Sequence, residues 1–291
     1  ALGAVHPEMG VPDAEVGNST FSEKFRDAYP DRFFEMYIAE QQMIGAAIGF
    51  AVRGKRAFAS TFAAFLSRAY DFIRMGAVSR TTMSLCGSHA GVSIGQDGPS
   101  QMALEDLAMM RAVHNSTVLY PSCAITAYKL VETMAELKGI SYMRSTREKL
   151  PILYKNDDTF EVGGSRVLKK SANDRCTLIA AGITLHESLK AYEELLKAGI
   201  NVRVIDLYSI KPVDKKTLHA AAKETGLLIT VEDHYPEGGI GDAVLDAFTD
   251  EEHNLPKVVK LAVRSMPGSA TPEELLDAAG INARHIVEAV K

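Results

Sequence analysis

Tryptophan is absent from this 291-residue chain and cysteine occurs only three times. Cys86, Cys123 and Cys176 stand far apart, form no CxxC pair and fall in apolar surroundings. That pattern argues against disulfides or a thiolate metal site and predicts buried free thiols. Long apolar runs are also missing: each is interrupted by Gly or charge before it could cross a bilayer. Residues 1–10 lack the basic and apolar regions of a signal peptide, so the expected location is the cytoplasm, with no membrane partner. There is no block of like charge, no short-period repeat and no low-complexity tract. The net charge of −5 argues against nucleic acid as the main partner, yet leaves room for a local basic pocket that takes phosphorylated metabolites.

What is present suits two domains, each with apolar content enough for its own core. The stretch Tyr37-Ile38-Ala39-Glu40-Gln41 stands out. It sets one carboxyl between an extended apolar run, residues 33–38, and an apolar small-residue helix starting near Met43. Glu40 then lies at a strand-to-helix corner, outside the carboxyl end of a strand, where open α/β sheets bind ligands. Burial disfavours charge on such a group and a helix N-terminus favours it. Glu40 therefore reads either as a first-turn glutamate stabilised by the dipole or as a desolvated working carboxyl.

Along the chain, residues 1–12 read as the tail of a helix and a loop, an odd start for a domain, so a further segment upstream is expected. Residues 57–60 read as a strand, 61–78 as one long helix, and 82–86 as the next strand. A helix at 104–111, a strand at 117–120, a helix at 125–138 and a strand at 140–144 follow. The alternation predicts an α/β fold: two consecutive open, mostly parallel sheets with helices on both faces. A Pro, Asn, Asp and Gly-rich lapse at 150–164 is the linker, which puts the domains at 1–155 and 156–291. In the second, strands are expected at 176–181, 202–206, 227–232 and 258–263. Two helices carry capping-box patterns, Thr184 with Glu187 and Thr271 with Glu274.

Residues 87–101 place His89, Asp97, Ser100 and Gln101 on a glycine-rich path directly after a strand, either a pocket wall or a plain surface loop. Phe62 and Phe65, three apart on the expected helix, read as an aromatic wall or as core. Arg147, just beyond a strand end, suits a phosphate clamp or a surface pair with Glu148. Gly238-Gly239-Ile240-Gly241 lacks the spacing of a dinucleotide fingerprint, and Asp233-His234 beside it reads as a functional or a satisfied polar corner.

Taken jointly, Asp31-Arg32-Phe33 with Tyr37-Ile38-Ala39-Glu40-Gln41, Ser60-Thr61-Phe62-Ala63-Ala64-Phe65, Cys86-Gly87-Ser88-His89, Asp97-Gly98-Pro99-Ser100-Gln101, Arg144-Ser145-Thr146-Arg147 and Val231-Glu232-Asp233-His234-Tyr235 resemble transketolase. The resemblance covers the family's pyrimidine-binding and C-terminal domains. The Gly-Asp-Gly run of the diphosphate and metal domain does not occur in the chain. The resemblance therefore implies one component of a split enzyme, or a fragment. It would share thiamine diphosphate with an N-terminal transketolase subunit that holds the diphosphate and a divalent metal, magnesium or calcium, in a hetero-oligomer with a dimeric core. No metal ligand is assigned to this chain.

By the same resemblance, Glu40 matches the cofactor-activating glutamate that hydrogen-bonds the aminopyrimidine ring. Phe62 and Phe65 match the aromatics packed on that ring, while Arg68 stands where some members carry a further aromatic. Glu15 falls where an Asp near the cofactor is usual. His89 and Asp97 match residues that contact donor-sugar hydroxyls, and Ser19 and Arg147 match phosphate-binding positions. Gln101 replaces the His common in bacterial and fungal enzymes, as in the animal-type subgroup. A second phosphate-binding Arg is expected from outside the chain. The implied activity is transfer of a two-carbon ketol unit between sugar phosphates. The alternatives are a related thiamine enzyme, of the deoxyxylulose-phosphate synthase or 2-oxo-acid dehydrogenase β type, and a non-catalytic interaction subunit.

Overall fold

The computed structural model describes residues 1–250 and 255–291. Twelve strands are described: β1 (Met9–Asp13), β2 (Phe33–Glu35), β3 (Arg56–Phe62), β4 (Met83–Ser88), β5 (Thr117–Leu119), β6 (Ile140–Arg144), β7 (Arg166–Lys169), β8 (Thr177–Ala180), β9 (Arg203–Asp206), β10 (Ser209–Lys211), β11 (Leu227–Val231) and β12 (Lys257–Leu261). They form a seven-stranded sheet ordered β10-β5-β6-β4-β3-β1-β2 and a five-stranded sheet ordered β12-β11-β8-β9-β7. All pairings are parallel except β10 with β5 and β7 with β9. Central strands such as β6, β8 and β9 are buried along their whole length, as expected of parallel strands covered by helices on both faces.

The two sheets are stitched together. β10 follows β9 in sequence yet pairs with β5, setting Ser209 opposite Leu119. Beside it, the Lys211 ammonium donates to the carbonyls of Arg111 and Val113, both at 2.7 Å, and closes the end of the helix Asp106–Ala112. One apolar core accordingly runs from Met43, Ile44 and Leu85 through Tyr120 and Tyr142 to Ile179, Ile205 and Leu228.

Several expectations are corrected. Residues 9–13 are a strand, not a loop: Gly10 and Pro12 mask it, because Pro is normally confined to edge strands, whereas β1 lies between β2 and β3. β7 and β10 are too short to carry a period. The expected helix at 61–78 divides into the end of β3, a 3-10 segment Ala63–Ala69 and a helix Tyr70–Val78. Phe62 is consequently a strand residue, opposite Ser88 in the ladder. The apolar run at 33–38 leaves the sheet after Glu35, and Tyr37, at φ 55°, turns outward with Ile38. Thr271 and Glu274 form their capping box. Thr184 instead donates to the Ala181 and Val231 carbonyls, while Glu187 accepts from Lys190 and the Ala283 amide.

Candidate active site

The residues singled out for chemistry follow the carboxyl ends of five adjacent parallel strands, the edge where open α/β sheets bind ligands. Glu15 and Ser19 follow β1, Glu40 follows β2, Phe62 ends β3, His89, Asp97 and Gln101 follow β4, and Arg147 follows β6.

Glu40 opens the helix Glu40–Val52 and is 3 % exposed. Arg68 Nη1 donates to its Oε1 at 2.8 Å. Among the described residues Oε2 has no partner. The Arg68 guanidinium lies 4.7 Å from the Phe65 ring centroid. Phe65 stacks on Phe62 at 5.2 Å and 17° between planes, and Phe62 stacks on His89 at 4.1 Å and 13°. A buried carboxylate is thus joined to a wall of three near-parallel rings, the surface a flat heterocycle packs against.

His89 sits at φ 58°, in the left-handed region that costs a residue with a Cβ. Its Nδ1 shares a hydrogen bond of 3.0 Å with Ser88 Oγ. Burial, reinforced by the charge of Arg147 and partly offset by Asp97, holds its pKa below the ordinary imidazole value. Near neutral pH the ring is therefore uncharged, with a donor and an acceptor nitrogen. Arg147 donates from Nη1 to the Ile94 carbonyl at 3.0 Å and to Asp97 Oδ1 at 3.3 Å, with 43 % of its side chain exposed. Its described carboxylate partner is Asp97, not Glu148.

Glu15, Ser19 and Gln101 share this edge, but no side-chain hydrogen bond among the described residues ties them to the others. The backbone does part of that work. Glu35 Oε1 accepts the Glu15 amide at 3.0 Å and the Tyr37 amide at 2.9 Å, fastening the loop after β1 to the bend before Glu40. Glu15 and Tyr37 both have positive φ.

Sequence reasoning did not find Asp13. Fully buried at the end of β1, it accepts from Ser22 Oγ at 2.7 Å, Thr20 Oγ1 at 2.9 Å and the Val16 amide at 3.0 Å, and so shapes the loop that carries Glu15 and Ser19. Burial raises its pKa. The surrounding Ser, Thr and Gly were the available signal. Asp233 is equally structural: its carboxylate accepts the Val92 amide at 2.7 Å and Ser93 Oγ at 3.3 Å, so the second sheet's unit grips the loop that bears His89. At Gly91, φ 87°, a Cβ would coincide with that carboxylate. Arg144 is fully buried, paired with Asp106 at 3.0 Å and bonded to the Ala103 and Asp233 carbonyls. The glycine run at 238–241 serves an internal carboxyl group: Glu232 accepts the Ile240 and Gly241 amides at a helix start, its pKa pushed up to about 8 by burial.

Residues 1–152 match the family model "Transketolase, pyrimidine binding domain", and residues 165–286 match "Transketolase, C-terminal domain". The chain belongs to the transketolase family. It is 52 % identical over 292 residues to transketolase of Mus musculus, covering all of this chain and 46 % of that protein. It is 52 % identical over 294 residues to transketolase-like protein 2 of Mus musculus, again covering all of this chain and 46 % of that protein. The chain thus spans about half the length of the curated relatives it matches. A solved structure titled "Split gene transketolase, inactive beta4 tetramer" superposes with a TM-score of 0.88 at 37 % identity, covering 99 % of this chain and 92 % of that one. Transketolase of Campylobacter jejuni shares the fold, with a TM-score of 0.81 at 20 % identity over 99 % of this chain and 44 % of that one.

Proposed function

We propose that this chain is the C-terminal component of a thiamine-diphosphate-dependent transketolase, moving a two-carbon ketol unit from a ketose phosphate to an aldose phosphate. The observation that carries the reading is the buried Glu40 carboxylate, one oxygen unpartnered, beside the ring wall of Phe62, Phe65 and His89. These residues fit an aminopyrimidine: an acceptor for one edge and a stack of flat rings beside it. When bound, thiamine diphosphate supplies a nucleophilic thiazolium carbon and an electron sink for the two-carbon unit.

The chain's own work is positioning and polarity. Glu40, whose Oε2 has no partner among the described residues, would accept a hydrogen bond from the protonated ring nitrogen of a bound pyrimidine and hold that proton in place. His89, kept neutral by its surroundings, and Asp97 orient donor-sugar hydroxyls. Arg147 and Ser19 take the phosphate, Arg147 exchanging its Asp97 contact for the stronger bidentate pairing a phosphate offers. Gln101 and Glu15 line the rim. In this reading residues 1–155 form the pyrimidine-binding unit and residues 156–291 the C-terminal unit, which holds the His89 loop through Asp233. The diphosphate and its divalent metal belong to an N-terminal partner subunit in a hetero-oligomer. The relative whose title describes an inactive tetramer of β chains supports that requirement. No helix among the described residues is long and apolar enough to cross a membrane, and the proposed location is the cytoplasm.

The test is reconstitution with the partner subunit that carries the diphosphate domain. Glu40→Ala is expected to lower ketol transfer by at least about 100-fold with assembly intact, given the usual size of acid–base contributions. Turnover within about tenfold of wild type would remove the assigned role.

A further inference from the structure

Arg68 lies on the 3-10 segment Ala63–Ala69, three residues beyond Phe65 and 28 after Glu40. Its side chain is 52 % exposed, whereas the Glu40 side chain it reaches is 4 % exposed. The guanidinium covers the Phe65 ring and donates to Glu40 Oε1. An arginine stays charged and can only donate, so Oε1 is held as an acceptor. Among the described residues Oε2 is left open. A planar cation over an aromatic face has little freedom left to lose when it makes a further hydrogen bond. Phe65 in turn stacks on Phe62, whose backbone is locked into the β3–β4 ladder. The carboxylate is therefore held from one side by a rigid, layered support anchored in the sheet.

We propose that Arg68 is a positioning residue for the reaction. It fixes Glu40 by one oxygen, so that the other is presented in a single orientation to the protonated ring nitrogen of an aminopyrimidine, and its guanidinium caps the Phe65 ring. This rests on the reading of Glu40 given above. Removing Arg68 leaves the pyrimidine's faces and edge acceptor in place but frees the carboxylate to rotate, so the proton-steering geometry suffers while cofactor binding does not. Lysine restores a donor without the planar stack.

Arg68→Met, Arg68→Lys and Glu40→Ala are compared with wild type in the complex with the partner subunit. Thiamine diphosphate binding is followed by calorimetry without substrate, and turnover is followed separately. Arg68→Met is expected to lower turnover about 10- to 100-fold, the cost of a misplacement near 1 Å. Its thiamine diphosphate Kd should stay within about threefold of wild type, under 1 kcal/mol. Arg68→Lys should recover most of the lost turnover. Three results overturn the role: wild-type turnover in Arg68→Met, a Kd loss that accounts for the whole fall, or Arg68→Lys as impaired as Arg68→Met. The parallel variant keeps the two readings apart. If Glu40→Ala stays active, or wild type binds no cofactor, the activation reading falls; if Glu40→Ala is dead and Arg68→Met is not, only the positioning role falls.

Discussion

Gly91→Ala adds one methyl group at the point where the loop bearing His89 meets Asp233. Two costs follow from the geometry. With φ at 87°, a residue with a Cβ is strained by about 1–3 kcal/mol. The new methyl would also fall on the Asp233 carboxylate, which is fully buried and holds the Val92 amide at 2.7 Å and Ser93 Oγ. Pushing that carboxylate aside leaves a buried acceptor short of donors, costing about 1–3 kcal/mol more. The expected loss is roughly 2–6 kcal/mol in denaturant unfolding, accompanied by faster hydrogen exchange at Val92. Gly49→Ala is the matched control. It lies exposed within the helix Glu40–Val52 with nothing within 4 Å of a new Cβ, so alanine there should stabilise by about 0.5–1 kcal/mol. A Gly91→Ala chain as stable as wild type, or one destabilised with Val92 exchange unchanged, would show that the Asp233 grip does not hold this loop.

Asp206 gives a pH prediction. Burial raises its pKa to about 7 despite donors from Tyr154 at 2.6 Å and Ser122 at 2.8 Å. The folded chain keeps a proton there that the unfolded chain releases above its ordinary value of 3.8. This contribution to stability is present below about pH 4 and lost as pH rises through about 7, with a ceiling near 4 kcal/mol. His234, lowered to about 4 by burial, works in the opposite sense, losing stability as pH falls from about 6.5. Subtracting an Asp206→Asn pH–stability curve from wild type isolates the aspartate; a flat difference from about pH 4 to 7 would contradict its burial cost. Arg147→Ala in the reconstituted complex should weaken phosphorylated substrates about tenfold or more and spare unphosphorylated ones, as expected of a charge-assisted phosphate contact. Equal losses on both would end its assignment as a clamp.

Local patterning was enough for the α/β alternation, for the Glu40 helix, and for the placing of His89, Asp97 and Arg147 beyond strand ends, because apolar runs of strand or helix length, separated by polar and glycine-rich turns, are written in the residues themselves. It failed where neighbours in space decide conformation. Phe62 looked helical by spacing to Phe65, yet its backbone hydrogen-bonds across to β4, and that ladder extends β3 through it. β1 was hidden by Gly10 and Pro12, and β10 is a strand only because β5 is there to pair with it.

The site divides in the same way. Which side chains stand at the strand ends follows from residue order, since each βα unit delivers the residues after its strand to one edge of a parallel sheet. How they meet does not. Arg68 reaches Glu40 across 28 residues, Phe62 stacks on His89 across 27, and Asp233 grips Val92 across 141. Such contacts depend on strand order, register and the packing of two sheets on one core. Pairing at that range leaves no local period, and only the folded chain brings the partners within bonding distance.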